Sequence, residues 1–149
     1  MVAIVFESPD PTLAHARDTL AKFAVSFIDL HVPDRASLAA SLRQAEQGGS
    51  RLYVVAVTST DSLAHAVAKL TDQPVLAVPL DSSALPPLEA LRAATRPGAV
   101  ASLAIGKAGA TNAAILAVSI LANTDPALAA RLQAFRDEQT TKVLADQLA

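Results

Sequence analysis

Leu52–Val57 (LYVVAV) is a run of six residues, apolar at every position and rich in β-branched side chains. Too short for a buried helix, it reads as a strand covered on both faces, which requires one layer of structure above it and another below. Val2–Phe6 and residues 26–32, 74–79 and 100–105 repeat the signal, with Pro74 and Pro79 at the edges of their strand rather than at its centre. Helical spacing fills the intervals. Residues 12–25 place Leu13, Ala16, Leu20 and Phe23 on one side, behind Asp10 as a cap and Pro11 in the first turn. Residues 34–47 carry a Leu38, Leu42, Ala45 stripe that Gly48-Gly49 ends; residues 63–70 form a helix, and 83–95 are helical after the Pro86-Pro87 interruption. Residues 113–122 are apolar nearly all round, and residues 125–148 form a last helix with Thr124 or Asp125 as its cap and Pro126 at its start. Strands alternating with helices predict a parallel sheet with right-handed crossovers, an α/β/α sandwich of three layers. The 149 residues have room for one domain, 1–149, with no linker, low-complexity tract or internal repeat.

Composition removes several classes of function. The formal net charge is -2, lysines and arginines are scattered, and aromatic residues make up 3%, so neither the charge nor the stacking surface for nucleic acid is present. With no cysteine there is no disulfide, thiolate nucleophile or thiolate metal site. A hydrophobic fraction of 52% against 17% charged argues against disorder and for helix faces covered by other subunits, hence a homo-oligomer. Val2–Phe6 is broken at once by Glu7 and has no basic leader, so it reads as a first strand rather than a signal peptide. Residues 113–122 are interrupted by Ser119 and too short to span a bilayer, so no membrane partner and a cytoplasmic location are expected.

In open α/β sheets ligands bind beyond the carboxyl ends of the strands. That rim carries residues 7–10, 31–35, 58–62, 81–83 and 106–112. Gly106-Lys107-Ala108-Gly109-Ala110-Thr111-Asn112 reads in two ways: a loop whose free N–H groups hold an anion such as phosphate, or a tight turn with Asn112 as helix cap. It is not a P-loop, lacking that order of glycines and lysine. Ser8 and Asp10 suit a ribose or phosphate, with Asp10 as a plain cap the alternative. Of the three histidines, His15 lies within a helix and reads as structural, while His31 and His65 lie on the rim; their spacing fits no metal motif, so no metal is expected. No G-x-S-x-G nucleophile elbow occurs.

The run Ala104-Ile105-Gly106-Lys107-Ala108-Gly109-Ala110-Thr111-Asn112-Ala113-Ala114-Ile115-Leu116-Ala117 resembles the PurE family, the N5-carboxyaminoimidazole ribonucleotide mutases and related aminoimidazole ribonucleotide carboxylases of purine synthesis. The likeness continues in Ile120-Leu121-Ala122, Asp125-Pro126-Ala127-Leu128, Arg131-Leu132, Phe135-Arg136-Asp137-Glu138-Gln139-Thr140 and Val143-Leu144. It also takes in Val2-Ala3-Ile4-Val5 and Pro74-Val75-Leu76-Ala77-Val78-Pro79. The resemblance implies a flavodoxin-like or Rossmann-like sandwich in a homo-octamer, with sites between subunits and C-terminal helices packed on neighbours. It implies a phosphorylated small-molecule ligand and a reaction without cofactor or metal. A carboxyl group moves from the exocyclic nitrogen to C4 of an imidazole ribonucleotide, a histidine shuttles the proton, and backbone groups position the free carboxyl or carbon dioxide.

Three loops depart from the family pattern. Where the family reads Gly-Ser-x-Ser-Asp, this chain reads Glu7-Ser8-Pro9-Asp10; Ser8 and Asp10 match, and Glu7 brings a carboxylate that repels a phosphate. The Ser-Ala-His-Arg-Thr-Pro loop is cut to His31-Val32-Pro33-Asp34-Arg35, with Arg35 standing in for the phosphate-binding arginine. Ser62 falls on the proton-transferring histidine, and Thr58 and Ser59 fall on paired glycines, where their side chains fill the substrate's space. Ligand contacts are therefore expected from Ser8, Asp10, Arg35, Thr58, Ser59, Ser62, Gly106, Lys107, Ala108 and Gly109. The leading expectation is a noncatalytic protein, or one repurposed for a nucleotide-like or carboxylated ligand, a pseudoenzyme with little or no mutase activity. The alternatives are a divergent mutase in which His65 or His31 takes over the proton, and a structural or partner-binding module.

Overall fold

The structure, a computed structural model, describes residues 1–81 and 85–146. Strands β1 (Val2–Phe6), β2 (Phe27–His31), β3 (Leu52–Val57), β4 (Val75–Pro79) and β5 (Ala101–Ser102) make one five-stranded sheet in the order β2-β1-β3-β4-β5. Every pairing is parallel, with Val2 opposite both Phe27 and Leu52, Tyr53 opposite Val75 and Leu76 opposite Ala101. The three inner strands β1, β3 and β4 are buried at every position, as their unbroken apolar runs require.

Side chains alternate across the sheet. Val2, Ile4, Val54, Ala56 and Val78 face one helical layer, made of α1 (Ala14–Lys22), α5 (Gly106–Ala122) and α6 (Pro126–Asp146). Ala3, Val5, Tyr53, Val55 and Val57 face the other, made of α2 (Leu38–Gln47), α3 (Leu63–Ala68) and α4 (Pro87–Ala94). The sandwich of three layers is thus present. The first two helices each begin later than their periodicity suggests, because an aspartate tightens the entry into a 3₁₀ turn. Asp10 accepts the Thr12 N–H at 2.7 Å, and Asp34 accepts the Ala36 N–H at 3.0 Å. α1 closes at Ala24, whose φ of 53° is left-handed.

Three expectations need correction. The fifth strand is Ala101–Ser102 rather than 100–105: it lies at the sheet edge with one neighbour, and only Leu103 N–H to Ala77 O, 2.9 Å, extends it. Residues 106–112 are not a loop but the first turns of α5, so Asn112 lies inside the helix and does not cap it. Gly106, at φ +68°, lets the chain turn straight into the helix, and a Cβ on Gly109 would stand 1.7 Å from the Ala104 carbonyl oxygen. Both glycines therefore act through backbone geometry. The helix expected within 83–95 after the Pro86-Pro87 interruption begins at that interruption and runs Pro87–Ala94, one residue short of the expected end, and the parts of that expectation and of the rim at 82–84 lie outside the described residues.

The last helix, α6, begins on its own core: Leu128 and Leu132 are buried, and Phe135 meets Phe23 edge to face at 5.2 Å. Beyond Phe135 every described position is exposed, Val143 and Leu144 included, and the expected end at 148 lies outside the described residues. Among the described residues no helix is long and apolar enough to cross a membrane.

Candidate functional site

The chain runs from β1 outward to β2 and then crosses to β3 on the other side of β1. At such a reversal the loops after the two central strands part, leaving the crevice where this topology receives ligands. Arg35, from the segment after β2, lies across it. Its Nε donates to Glu7 Oε1 at 2.8 Å, its Nη2 pairs with the same oxygen at 2.7 Å, and Nη2 also donates to the Asp61 carbonyl at 2.6 Å. One guanidinium thus joins the loops that follow β1 and β3. The carboxylate that looked hostile to a phosphate has its charge compensated within the protein.

His31 Nε2 lies 3.0 Å from the Glu7 carbonyl, and the ring stacks on Phe6 with centroids 5.5 Å apart. Since a carbonyl only accepts, Nε2 carries the proton there. Ser8 is exposed at the lip, while the Asp10 carboxylate is engaged as the cap of the turn at Pro11–Leu13. Ser59 donates from Oγ to the Asp61 carbonyl at 2.9 Å, folding back on its own loop beside half-buried Thr58.

Ser62 precedes α3 in the N-cap position, yet its side chain makes no capping bond. Its Oγ instead lies 3.1 Å from His65 Nδ1, and His65 Nε2 lies 2.9 Å from the Arg96 carbonyl. Gly98 permits this arrangement, since a Cβ there would come within 2.8 Å of the imidazole Cδ2. Asp61, Ser62, His65, Lys69 and Arg96 line a cleft of about 470 Å³. Gly106, Lys107, Ala108 and Gly109 form the first turn of α5, after the edge strand; Lys107 and Ala108 are exposed and Gly109 is buried. Ile105 supplies no side-chain cap to that turn.

The structure therefore unites Glu7, Arg35, Asp61, Ser62 and His65 at the ends of β1, β2 and β3. The i, i+3 spacing of Ser62 and His65 is visible in the chain. Asp61, Lys69, Arg96 and Gly98 were not singled out as partners of these groups, because only the fold brings residues 96 and 98 against α3.

A family model described as AIR carboxylase matches residues 1–142. An N5-carboxyaminoimidazole ribonucleotide mutase of Brucella melitensis is 38% identical over 152 residues, covering 95% of this chain and 93% of that protein. One from Vibrio parahaemolyticus is 36% identical over 143 residues, covering 91% and 88%. The crystal structure of Treponema denticola PurE superposes with a TM-score of 0.83 at 17% identity, covering 97% of this chain and 94% of that one, a likeness of fold. These relatives overturn the expectation of a noncatalytic or repurposed protein with a degenerate site. The matched span of 1–142 takes in all the altered loops, and the similar proteins are mutases. The physical grounds for that expectation also weaken, because Glu7 is paired with Arg35 and the Ser62 hydroxyl has an imidazole beside it.

Proposed function

The chain belongs to the AIR carboxylase family, and from that premise we propose that it moves the carboxyl group of N5-carboxyaminoimidazole ribonucleotide from the exocyclic nitrogen to C4 of the ring. The observation that carries this reading is kinship with mutases along nearly the whole chain. The reaction needs a cation for the phosphate, donors for the migrating carboxyl and one group that exchanges a proton near neutral pH. Arg35 supplies the cation, with a phosphate displacing Glu7 from it, and Ser8 borders that position while Asp10 holds the loop. Thr58 and Ser59 border the ring. The N–H groups of Gly106, Lys107, Ala108 and Gly109 face the carboxyl. His65 is the proton-exchanging group, with His31 the alternative. The chemistry calls for no cofactor and no metal.

Residues 1–149 act as one domain, in the cytoplasm, within a homo-octamer. Partly exposed Ile115, Leu116 and Ile120 on α5, and exposed Val143 and Leu144 on α6, support assembly through these two helices. Purified protein is expected to convert the substrate at roughly one turnover per second or faster, and light scattering is expected to read eight copies. A folded preparation with no turnover above background overturns the activity, and a monomer at micromolar concentration overturns the assembly.

A further inference from the structure

We propose that Ser62 and His65 work as one proton relay, in which the Ser62 hydroxyl meets the substrate and the His65 imidazole stores the proton behind it. The inference rests on the mutase reading of the site. A serine ahead of a helix ordinarily turns its oxygen onto the first-turn N–H groups. Ser62 does not: no capping bond forms, and Oγ lies 3.1 Å from His65 Nδ1. The other ring nitrogen, Nε2, is 2.9 Å from the Arg96 carbonyl, which can only accept, so Nε2 holds a hydrogen in every protonation state. In the neutral ring Nδ1 then carries the lone pair and accepts from Ser62 Oγ–H. In the imidazolium Nδ1–H donates to the same oxygen, and the hydroxyl hydrogen is released toward the cleft. Each state keeps both ring nitrogens bonded, so a proton is taken up and given back without rearrangement.

The ring has little freedom to leave this position. Gly98 lies against it so closely that any Cβ would meet Cδ2 at 2.8 Å. Ser62 is 3% exposed as a residue, yet it lines the cleft of about 470 Å³ that also holds Asp61, Lys69 and Arg96. The charged groups lining the cleft beside the imidazole are Asp61 from the loop after β3, Lys69 just beyond α3 and Arg96 from the segment after α4. Arg35 stands behind the Asp61 carbonyl.

The proton count closes. The relay starts with His65 as imidazolium. The bond from exocyclic nitrogen to carboxyl carbon breaks, carbon dioxide leaves, and the electron pair on nitrogen takes the Ser62 hydroxyl proton, which Nδ1–H replaces. C4 then forms its bond to carbon dioxide. The C4 proton passes to Ser62 Oγ as the hydroxyl proton moves to Nδ1, and the C–H electron pair returns to the ring. The exocyclic nitrogen is borne by the ring carbon adjacent to C4, so one hydroxyl serves both.

The test is steady-state kinetics of the whole protein on N5-carboxyaminoimidazole ribonucleotide across pH 6 to 9, for the wild type, Ser62→Ala, His65→Ala and the double variant. Each single change is expected to lower kcat by roughly a hundredfold to ten-thousandfold with KM little changed. The double variant is expected to fall no further, because the two groups act as a unit, and the imidazole ionisation is expected to vanish from the kcat profile. Single variants that retain wild-type kcat overturn the relay while leaving the mutase reading intact. An inactive wild type overturns both. Nitrogen NMR of the folded, substrate-free protein supplies a readout independent of turnover. It is expected to show His65 with hydrogen on Nε2 when neutral, shifted by Ser62→Ala; the Nδ1–H tautomer overturns the relay.

Discussion

The two faces of the sheet are built on different physical terms. Against α1, α5 and α6 the buried side chains are apolar and many are small: Ala16, Ala110, Ala113, Ala114 and Ala117 let helices approach closely, and buried Thr19 returns its hydroxyl to the His15 carbonyl of its own helix. Against α2, α3 and α4 directional bonds are set into the apolar layer. Tyr53 hydroxyl reaches Glu46 Oε1 at 3.3 Å, Thr71 Oγ1 donates to the same carboxylate, and Ser62, His65 and Arg96 form a second chain. Dispersion and the hydrophobic effect tolerate sliding, whereas hydrogen bonds fix an orientation. The face that holds α3, and with it His65, is the one whose geometry is fixed by bonds.

Four changes, giving effects of three sizes, probe that contrast. The largest effect is expected from Gly109→Ala on the apolar face, because the new Cβ would overlap backbone rather than a flexible side chain. Overpacking against a rigid neighbour costs about 3 kcal/mol or more, and circular dichroism is expected to find little folded protein. If Gly109→Ala melts like the wild type, contact at this face is looser than its small residues imply. A middle-sized effect separates the two faces directly. Leu20→Ala, opening a cavity under α1, is expected to cost about 2–5 kcal/mol. Glu46→Ala, which leaves Tyr53 and Thr71 without their shared acceptor, is expected to cost about 1–3 kcal/mol. Urea titration ranks them, and the reverse order would put polar bonds above packing.

How much of this was legible follows the same division. Leu52–Val57 is found at the residues its apolar run marks, because a strand buried on both sides writes its whole length in hydrophobic residues. The edge strand could not be sized that way, since Ala101 and Ser102 are exposed while flanking Val100 and Leu103 are only partly buried. Gly106 and Gly109 read as a loop because glycine is a poor helix former; the left-handed φ of Gly106 and the Ala104 carbonyl pressed against Gly109 explain them. At the rim, Ser8, Arg35, Ser62, His31 and His65 were visible as residue types. Their pairings were not, since Arg35 meets Glu7 across 28 positions and His65 meets Arg96 across 31. An ion pair makes a charge look innocuous only once its partner is known.

The smallest of the three effects concerns the bonded face at alkaline pH. Burial, then the neighbouring Glu46 carboxylate, pushes the Tyr53 hydroxyl from 10.0 up to about 12. The folded protein keeps this proton where the unfolded chain has begun to release it, so the contribution is fully present below about pH 10 and is lost as pH rises through about 12. Melting temperatures measured between pH 9 and 12 are expected to fall less steeply for Tyr53→Phe than for the wild type. Parallel curves would mean that the phenol is not held neutral by its surroundings.

The two-residue strand β5 has a bearing on how copies of the chain behave when crowded. A long exposed margin of unpaired N–H and C=O groups is a template on which another chain can add a strand, and repeated addition leads to fibres. Here one margin of the sheet is only Ala101–Ser102, and the other, β2, carries exposed Asp29 tethered to Arg17, followed closely by Pro33, which has no N–H to offer. The apolar inner strands are thereby kept from recruiting their own kind edge to edge, and encounters between copies are directed to the helices, where side chains rather than open backbone decide whether two molecules stay together.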